Sequence, residues 1–385
     1  MPVPPINIYE KLSSLGLAAI GGRAADVGVG GLILGGGISF FSGRYGWALD
    51  NVRNYEVVLA NSSIVQVNKR SYPDLYWALR GGGNNFGIVT RFELETFPQG
   101  QLWGGSKSYT IDQNITLLRA LANFNEASLG DPDAALIVGF AYFRDNGTYI
   151  ASVAYDYAKP EADPSIYDDF KTIPSRASSM RVTNLTDITL DFKGSEPAGY
   201  RRTHMTATFK NDAALLAEIL EIYASETDPI KDIPDILPSC SFQPITIAQM
   251  SHFSKNGGNA LGISSDGGPL ICKSSIAYLK PVLNIILVFV VSTQWSAAED
   301  DEVVYRIAHT ILDRAVALAK SKGLVHRYIY QNYASSSQDV FGSYGAKNKV
   351  RLLRTQELYD PDRIFVDLQP GYFKLRPSAI GLHVQ

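Results

Sequence analysis

Apolar positions along this chain follow two periods, and the change from one to the other predicts its elements. Ala134 to Phe143 and Thr148 to Tyr157 are runs rich in β-branched and aromatic residues, the composition of strands. Between them lies Arg144-Asp145-Asn146-Gly147, whose Asn-Gly step is a strong short-range hairpin signal. Ile276 to Leu279 and Leu283 to Thr293 read as two more strands, broken at Pro281. Asp212 to Ser225 sets Leu215, Leu216, Ile219, Leu220 and Tyr223 at helical spacing behind an Asn211 cap. Ser296 is placed to cap a longer helix with Val304, Ile307, Ile311 and Ala315 on one face, stopped at Gly323. Strand runs separated by helices predict an α+β fold, an antiparallel sheet with helices on one side.

Texture divides the chain into three parts: a glycine-rich segment over 1–100, the alternating strands and helices over 101–325, and a Tyr-rich strand, one helix and a tail over 326–385. Within the first part, Val27-Gly28-Val29-Gly30-Gly31-Leu32-Ile33-Leu34-Gly35-Gly36-Gly37 lets the backbone turn sharply and approach a ligand closely. It reads as a glycine-rich turn between buried strands. A dinucleotide fingerprint starting at Gly28 fails because Ile33 stands where glycine is needed, and a phosphate loop fails because Gly36 follows Gly35 in place of lysine.

Charge and composition close off other classes. A net charge of −3 gives no electrostatic basis for binding nucleic acid or an anionic membrane surface. The most apolar run, Val282 to Val291, is about half of a membrane span and is interrupted by Asn284. Five scattered histidines without HxxxH spacing make a metal site unexpected. Cys240 and Cys272 could form one bridge, and nothing in the sequence decides it. Sequons at Asn61, Asn114, Asn146 and Asn184 hint at a secretory history, while Met1-Pro2-Val3-Pro4-Pro5 lacks the features of a signal peptide.

Two further stretches extend the glycine pattern. Asp50-Asn51-Val52 leads into an apolar strand, Glu56 to Ala60. Pro73 to Thr90 then runs from an Asp-capped helical turn through Arg80-Gly81-Gly82-Gly83-Asn84-Asn85-Phe86-Gly87 into a strand at Ile88. Near the end come Tyr328-Ile329-Tyr330-Gln331-Asn332-Tyr333, then Tyr359-Asp360-Pro361-Asp362-Arg363, then Gly371-Tyr372-Phe373-Lys374-Leu375. Taken in order, these pieces resemble the berberine-bridge-enzyme-like oxidases of the vanillyl-alcohol-oxidase superfamily, of fungal type.

The resemblance implies the C-terminal half of a PCMH-type FAD-binding domain over 1–100, a substrate domain over 101–325 and a C-terminal segment over 326–385 that returns to the cofactor. It implies FAD as cofactor, with Val29, Gly30, Gly31, Gly35, Gly36 and Gly37 along the ribityl and pyrophosphate chain and the backbone of Ile88 and Val89 near the adenine. Tyr330, Asn332 and Tyr333 would approach the isoalloxazine and the substrate, with Tyr330 and Tyr333 as candidate bases and His326 in support. His204 is a further candidate on the substrate side, with a solvated face as the plainer reading.

The implied reaction is oxidation of a small secondary metabolite (an alcohol, phenolic, alkaloid or polyketide-derived compound) with O₂ as electron acceptor. Relatives carry upstream a His loop that bonds covalently to the flavin. This chain begins too late to contain it, so the N-terminal half of the flavin domain is expected to be missing. Plant relatives carry a second anchoring Cys where this chain has Ala24. Non-covalent FAD is therefore expected. Two alternatives stay open: a flavin-free paralogue guiding a non-redox cyclisation or isomerisation, or a non-functional fragment.

Overall fold

The computed structural model describes residues 4–194, 198–265, 285–369 and 371–376. Among these a nine-stranded antiparallel sheet dominates. Its order runs Arg181–Thr183, Leu102–Thr110, Thr148–Tyr157, Ala134–Phe143, Leu237–Ile245, Ile286–Trp295, Arg201–Lys210 and Val325–His326, with Ala177–Ser178 added beside Leu102–Thr110. The predicted hairpin is its centre. A 3-10 turn over Arg144–Asn146 ends at Gly147, whose φ of 58° is the left-handed conformation that glycine adopts without strain.

Alternation along the strands separates two faces. Leu287, Phe289 and Val291 point into a core shared with the helices Asn114–Ala127, Ala213–Thr227 and Asp301–Ser321. Val288 and Val290 point the other way, into a second core with the glycine-rich segment. The sheet is therefore the wall between a helical layer and the N-terminal part, which matches the α+β expectation.

Helix starts differ from those expected, for local reasons. Asp212, not Asn211, caps Ala213–Thr227: its carboxylate accepts from the Leu215 N–H at 2.8 Å, while Asn211 donates to the Ala122 carbonyl. Ser296 caps nothing. A turn at Ala298–Asp300 intervenes, and the helix starts at Asp301, which accepts from the Trp295 indole at 2.8 Å and pairs with Arg201. Asp74 lies inside Pro73–Leu79, behind a proline at the first position that needs no N–H partner.

The N-terminal part holds a three-stranded sheet, Ile64–Val67, Val52–Val58 and Ile88–Leu94, and a small pair, Leu17–Ala19 with Thr96–Pro98. Its two sequence motifs meet in one buried ion pair. Arg80 and Asp50 are both 0% exposed and 3.2 Å apart, and Arg80 also donates to the carbonyls of Leu49, Lys255, Asn256 and Gly258. Burial still pushes the Asp50 carboxyl up to about 6, against the pull of Arg80. The asparagines after the three glycines hold the tail: Asn85 bonds the Phe373 carbonyl and the Leu375 N–H, and Asn84 accepts from Lys374.

The Tyr-rich strand expected from about residue 326 is cut short. Pairing stops at Val325–His326, and Tyr328 donates its N–H back to His326 Nδ1 at 3.2 Å, turning the chain out of the sheet. Cys240 is buried, but its pairing with Cys272 and the strand expected at Ile276 to Leu279 lie outside the described residues. No helix among the described residues is long and apolar enough to cross a membrane.

Candidate active site

The glycine segment is a short helix rather than the expected turn. Val29–Gly35 is helical because Ile33 and Leu34 fall on one side and bury in the core, a side-chain payload that a plain turn would leave unused. The chain then reverses at Gly36 and Gly37, with φ of 143° and 92°. Tyr330 fixes that reversal. Its hydroxyl accepts from the N–H groups of Gly37 and Ile38, both at 3.2 Å, and its ring packs edge-on to Trp47 at 5.1 Å.

Asn332 ties three chain segments together. Its Nδ2 donates to the Leu32 carbonyl at 3.0 Å and to the Tyr330 hydroxyl at 3.1 Å. Its Oδ1 accepts from Tyr372 at 3.0 Å, and the same Tyr372 hydroxyl donates to the Gly31 carbonyl. The C-terminal segment thus returns to the glycine helix.

Between these pieces opens a cleft of about 470 Å³, lined by Gly28, Gly31, Leu32, Asn332, Tyr372 and Phe373 among others. Of the glycines expected along the cofactor chain, Gly31 alone is among its lining residues. A Cβ on Gly31 would meet nothing within 4 Å, so the backbone there is open. Gly35, Gly36 and Gly37 are filled in by Asn332, by Tyr330 with Trp47, and by Ala48, respectively. Gly30 faces Phe92. Ile88 and Val89 pair with Val58 and Val57 on the three-stranded sheet, with Ile88 exposed.

Tyr333 lies between Asn332 and Ala334, which line this cleft, and its own hydroxyl reaches Gln243 of the large sheet. Arg23 donates from Nη2 to the Tyr333 hydroxyl and, at 3.0 Å, to Gln243 Oε1. Tyr333 donates to the same oxygen at 3.1 Å. Sequence reasoning missed both partners. Arg23 had a signal in its place beside Ala24; Gln243 had one as a lone amide in an apolar strand, where a buried polar group requires partners.

Burial pushes the Tyr330 phenol up to about 12, the direction opposite to what a base needs, and leaves it a neutral hydrogen-bonding group. Burial with Arg327 and Lys210 nearby lowers His326 to about 4, and its Nδ1 serves Tyr328. His204 lies on the sheet face turned towards the N-terminal part, where Arg201–Lys210 alternates with the helix-facing Met205 and Ala207.

A family model described as an FAD binding domain matches residues 5–68. The FAD-dependent monooxygenase tpcD of Cochliobolus heterostrophus is 38% identical over 382 residues, covering 96% of this chain and 70% of that protein. This chain belongs to the berberine-bridge-enzyme-like family of FAD-linked oxidoreductases. The FAD-dependent monooxygenase FUP4 of Fusarium proliferatum is 37% identical, with 96% and 70% covered. Two solved structures share the fold of this FAD-linked oxidoreductase. One is 6-hydroxy-D-nicotine oxidase from Arthrobacter nicotinovorans, with a TM-score of 0.72 at 19% identity over 94% of this chain and 75% of that one. The other is berberine bridge enzyme from Eschscholzia californica, at 0.69 and 16% over 98% and 76%.

FAD is the cofactor of this oxidoreductase, and the residues of the cleft fit it. Gly31 presents bare backbone there, and Gly28 before it carries no side-chain cap that would compete for the helix's first N–H groups. Asn332 and Tyr372, bonded to the Leu32 and Gly31 carbonyls, line the same cleft.

Proposed function

We propose that this chain oxidises a small secondary metabolite, an alcohol, phenolic, alkaloid or polyketide-derived compound, and passes the electrons to O₂. FAD supplies the hydride-accepting ring and the reaction with oxygen when bound. The fungal relatives, FAD-dependent monooxygenases, support the flavin chemistry. In this reading residues 1–100 form the cofactor side, 101–325 the substrate-facing sheet and 326–385 the segment that closes the site. Ala24 offers no thiol, so no thioether to the flavin forms at that position.

Tyr333 is the proton-handling residue. The observation that carries this is its hydroxyl held between the Arg23 guanidinium and the Gln243 amide of the large sheet, on a residue whose chain neighbours Asn332 and Ala334 line the cleft. The Arg23 guanidinium and the Gln243 amide oxygen hold that hydroxyl in one orientation, with a hydrogen-bond acceptor for its proton already in contact. Tyr330 and Asn332 act as positioning residues, holding the glycine reversal and the Tyr372 wall. Val29, Gly30 and Gly31 follow the cofactor chain, Gly35, Gly36 and Gly37 set the reversal beneath it, and the backbone of Ile88 and Val89 serves the adenine end.

The test is a visible absorption spectrum of the purified chain after incubation with FAD and gel filtration, before and after acid precipitation. Flavin bands that pass into the supernatant support a non-covalent flavoprotein. A chain that carries no flavin after reconstitution sinks the reading and leaves the flavin-free paralogue in its place.

A further inference from the structure

One carboxyl on the sheet face turned away from the helices is left without the partners that burial demands. Asp156 is 4% exposed, and its Oδ1 has no hydrogen-bond partner. Leaving such an atom unpaired is costly in a folded chain. Asp156 lines a cavity of about 20 Å³ with Arg23, Ser39, Gln243 and Gln249. A polar void of that size has room for one oxygen atom but not for a ring.

The charges around it are few. Burial holds the Asp156 carboxyl well above the usual carboxylate range, with Arg23 pulling it down and Asp191 pushing it further up. The Tyr167 hydroxyl bonds the Asp156 main-chain oxygen at 2.7 Å, not the carboxyl. A carboxylic acid kept neutral in this way carries an O–H donor, as an ionised one does not. Arg23 adds guanidinium N–H donors to the same space.

Outward from this cavity the sheet face is built of small side chains. Cross-strand pairs run Ala135 with Asp156, Ile137 with Ala154, and Gly139 with Ser152, and the next strand sets Ser241 beside Gly139. Ile137, Gly139 and Ala154 are half-buried and Ser152 is exposed. Beyond Asp156 this track bears no formal charge, and the absence of a side chain at Gly139 leaves room beside Ile137 and Ala154.

We infer that Asp156 and Arg23 form an oxygen-recognition subsite, taking the hydroxyl or carbonyl oxygen of a neutral aromatic substrate whose ring lies over Ile137, Gly139 and Ala154. The inference rests on the reading of this sheet face as the substrate side. A ligand oxygen in the cavity accepts from the Asp156 O–H and from Arg23, giving Asp156 the partner it lacks and adding one to the Gln243 and Tyr333 contacts of Arg23. A carboxylate ligand gains Arg23 but forces a second acid against Asp156, so the subsite selects neutral oxygen.

The experiment is calorimetric titration of the FAD-incubated protein at neutral pH with 4-methylphenol, toluene and 4-methylbenzoate, three probes of matched shape. The expected result is at least tenfold tighter binding of 4-methylphenol than of either other probe. Asp156→Ala abolishes that preference, and Asp156→Asn, which keeps an amide donor, retains most of it. If the alanine variant fails to fold, Asp156→Leu fills the volume without a donor and serves instead. Equal affinities for 4-methylphenol and toluene in the parent protein overturn the inference, as does a preference that survives Asp156→Ala or Asp156→Leu. The flavin spectrum is read on the same samples. A chain that prefers 4-methylphenol but holds no FAD sinks the oxidoreductase reading alone, whereas an FAD-loaded chain without the preference sinks this one alone.

Discussion

Asn332 occupies the space that a side chain on Gly35 would need: a Cβ there would stand 2.1 Å from the Asn332 Oδ1. The helix carrying Gly35 and the C-terminal segment carrying Asn332 can therefore close on each other only because position 35 has no side chain. Gly35→Ala must push Asn332 off the Leu32 carbonyl and the Tyr330 hydroxyl. We expect a loss of about 2–4 kcal/mol in stability, the range of overpacking combined with a broken buried network, read as a lower urea midpoint, and loss of FAD binding. An unchanged midpoint sinks this account.

Gly31→Ala separates fold from cofactor. The position is helical and nothing approaches it, so alanine should leave stability unchanged or raise it by roughly 0.5–1 kcal/mol. FAD affinity should nevertheless fall at least about tenfold, because the methyl group enters the cleft. Equilibrium dialysis against FAD, beside a thermal melt of the FAD-free protein, checks both halves. Unaltered affinity would remove Gly31 from the cofactor wall.

Tyr333→Phe and Tyr330→Phe should part company. The first removes the hydroxyl between Arg23 and Gln243, and we expect anaerobic flavin reduction by a turned-over substrate to slow by about 10²-fold or more, with little change in flavin binding. The second frees the N–H groups of Gly37 and Ile38, and should weaken FAD binding more than it slows reduction at saturating FAD. The reverse pattern in stopped-flow and dialysis would exchange the two roles.

Arg80→Met should be among the most damaging single changes in the N-terminal part. It strands Asp50 and four carbonyls that Arg80 now serves. Removing one partner of a buried pair costs about 3–5 kcal/mol. Denaturant unfolding gives the value, and a loss below about 1 kcal/mol would contradict the network described here.

His326 gives a pH dependence with a definite sign. Its folded value is lowered from 6.5 to about 4, so the folded chain binds fewer protons than the unfolded chain between those limits. Its contribution is fully present above pH 6.5 and is lost as pH falls towards 4, a difference of roughly 3 kcal/mol. His326→Gln should flatten the stability profile across that window relative to the parent chain. Superimposable slopes in urea titrations at several pH values would show that His326 does not carry the effect.

Much of the sheet was readable because its signals are local. Ala134 to Phe143 and Thr148 to Tyr157 have the strand bounds that alternation and the Asn-Gly step indicate. Helix caps slipped by one or several residues because the capping choice depends on distant partners: Asn211 is drawn to Ala122, and Asp301 to Arg201 and Trp295. The candidate site was legible only through the resemblance of its motifs to a family. Arg23 and Tyr333 stand 310 residues apart in the chain, and no periodicity links them. Asp156 looked like one more polar residue of a β-hairpin until the sheet face that buries it was known.

The bonds from Asn85 to Phe373 and Leu375 join positions 288 and 290 residues apart. During synthesis the glycine-rich segment leaves the ribosome long before the residues that clasp it. Its reversal at Gly36 and Gly37 then waits without the Tyr330 hydroxyl that holds it, and the apolar cluster around Trp47 waits without Tyr328, Tyr330 and Tyr344. The helical layer and its sheet are complete by about Val325–His326, so they can consolidate first. The cofactor cleft is thus completed after the scaffold it stands on, and a premature stop between His326 and Tyr372 yields a chain with a finished scaffold and an unassembled site.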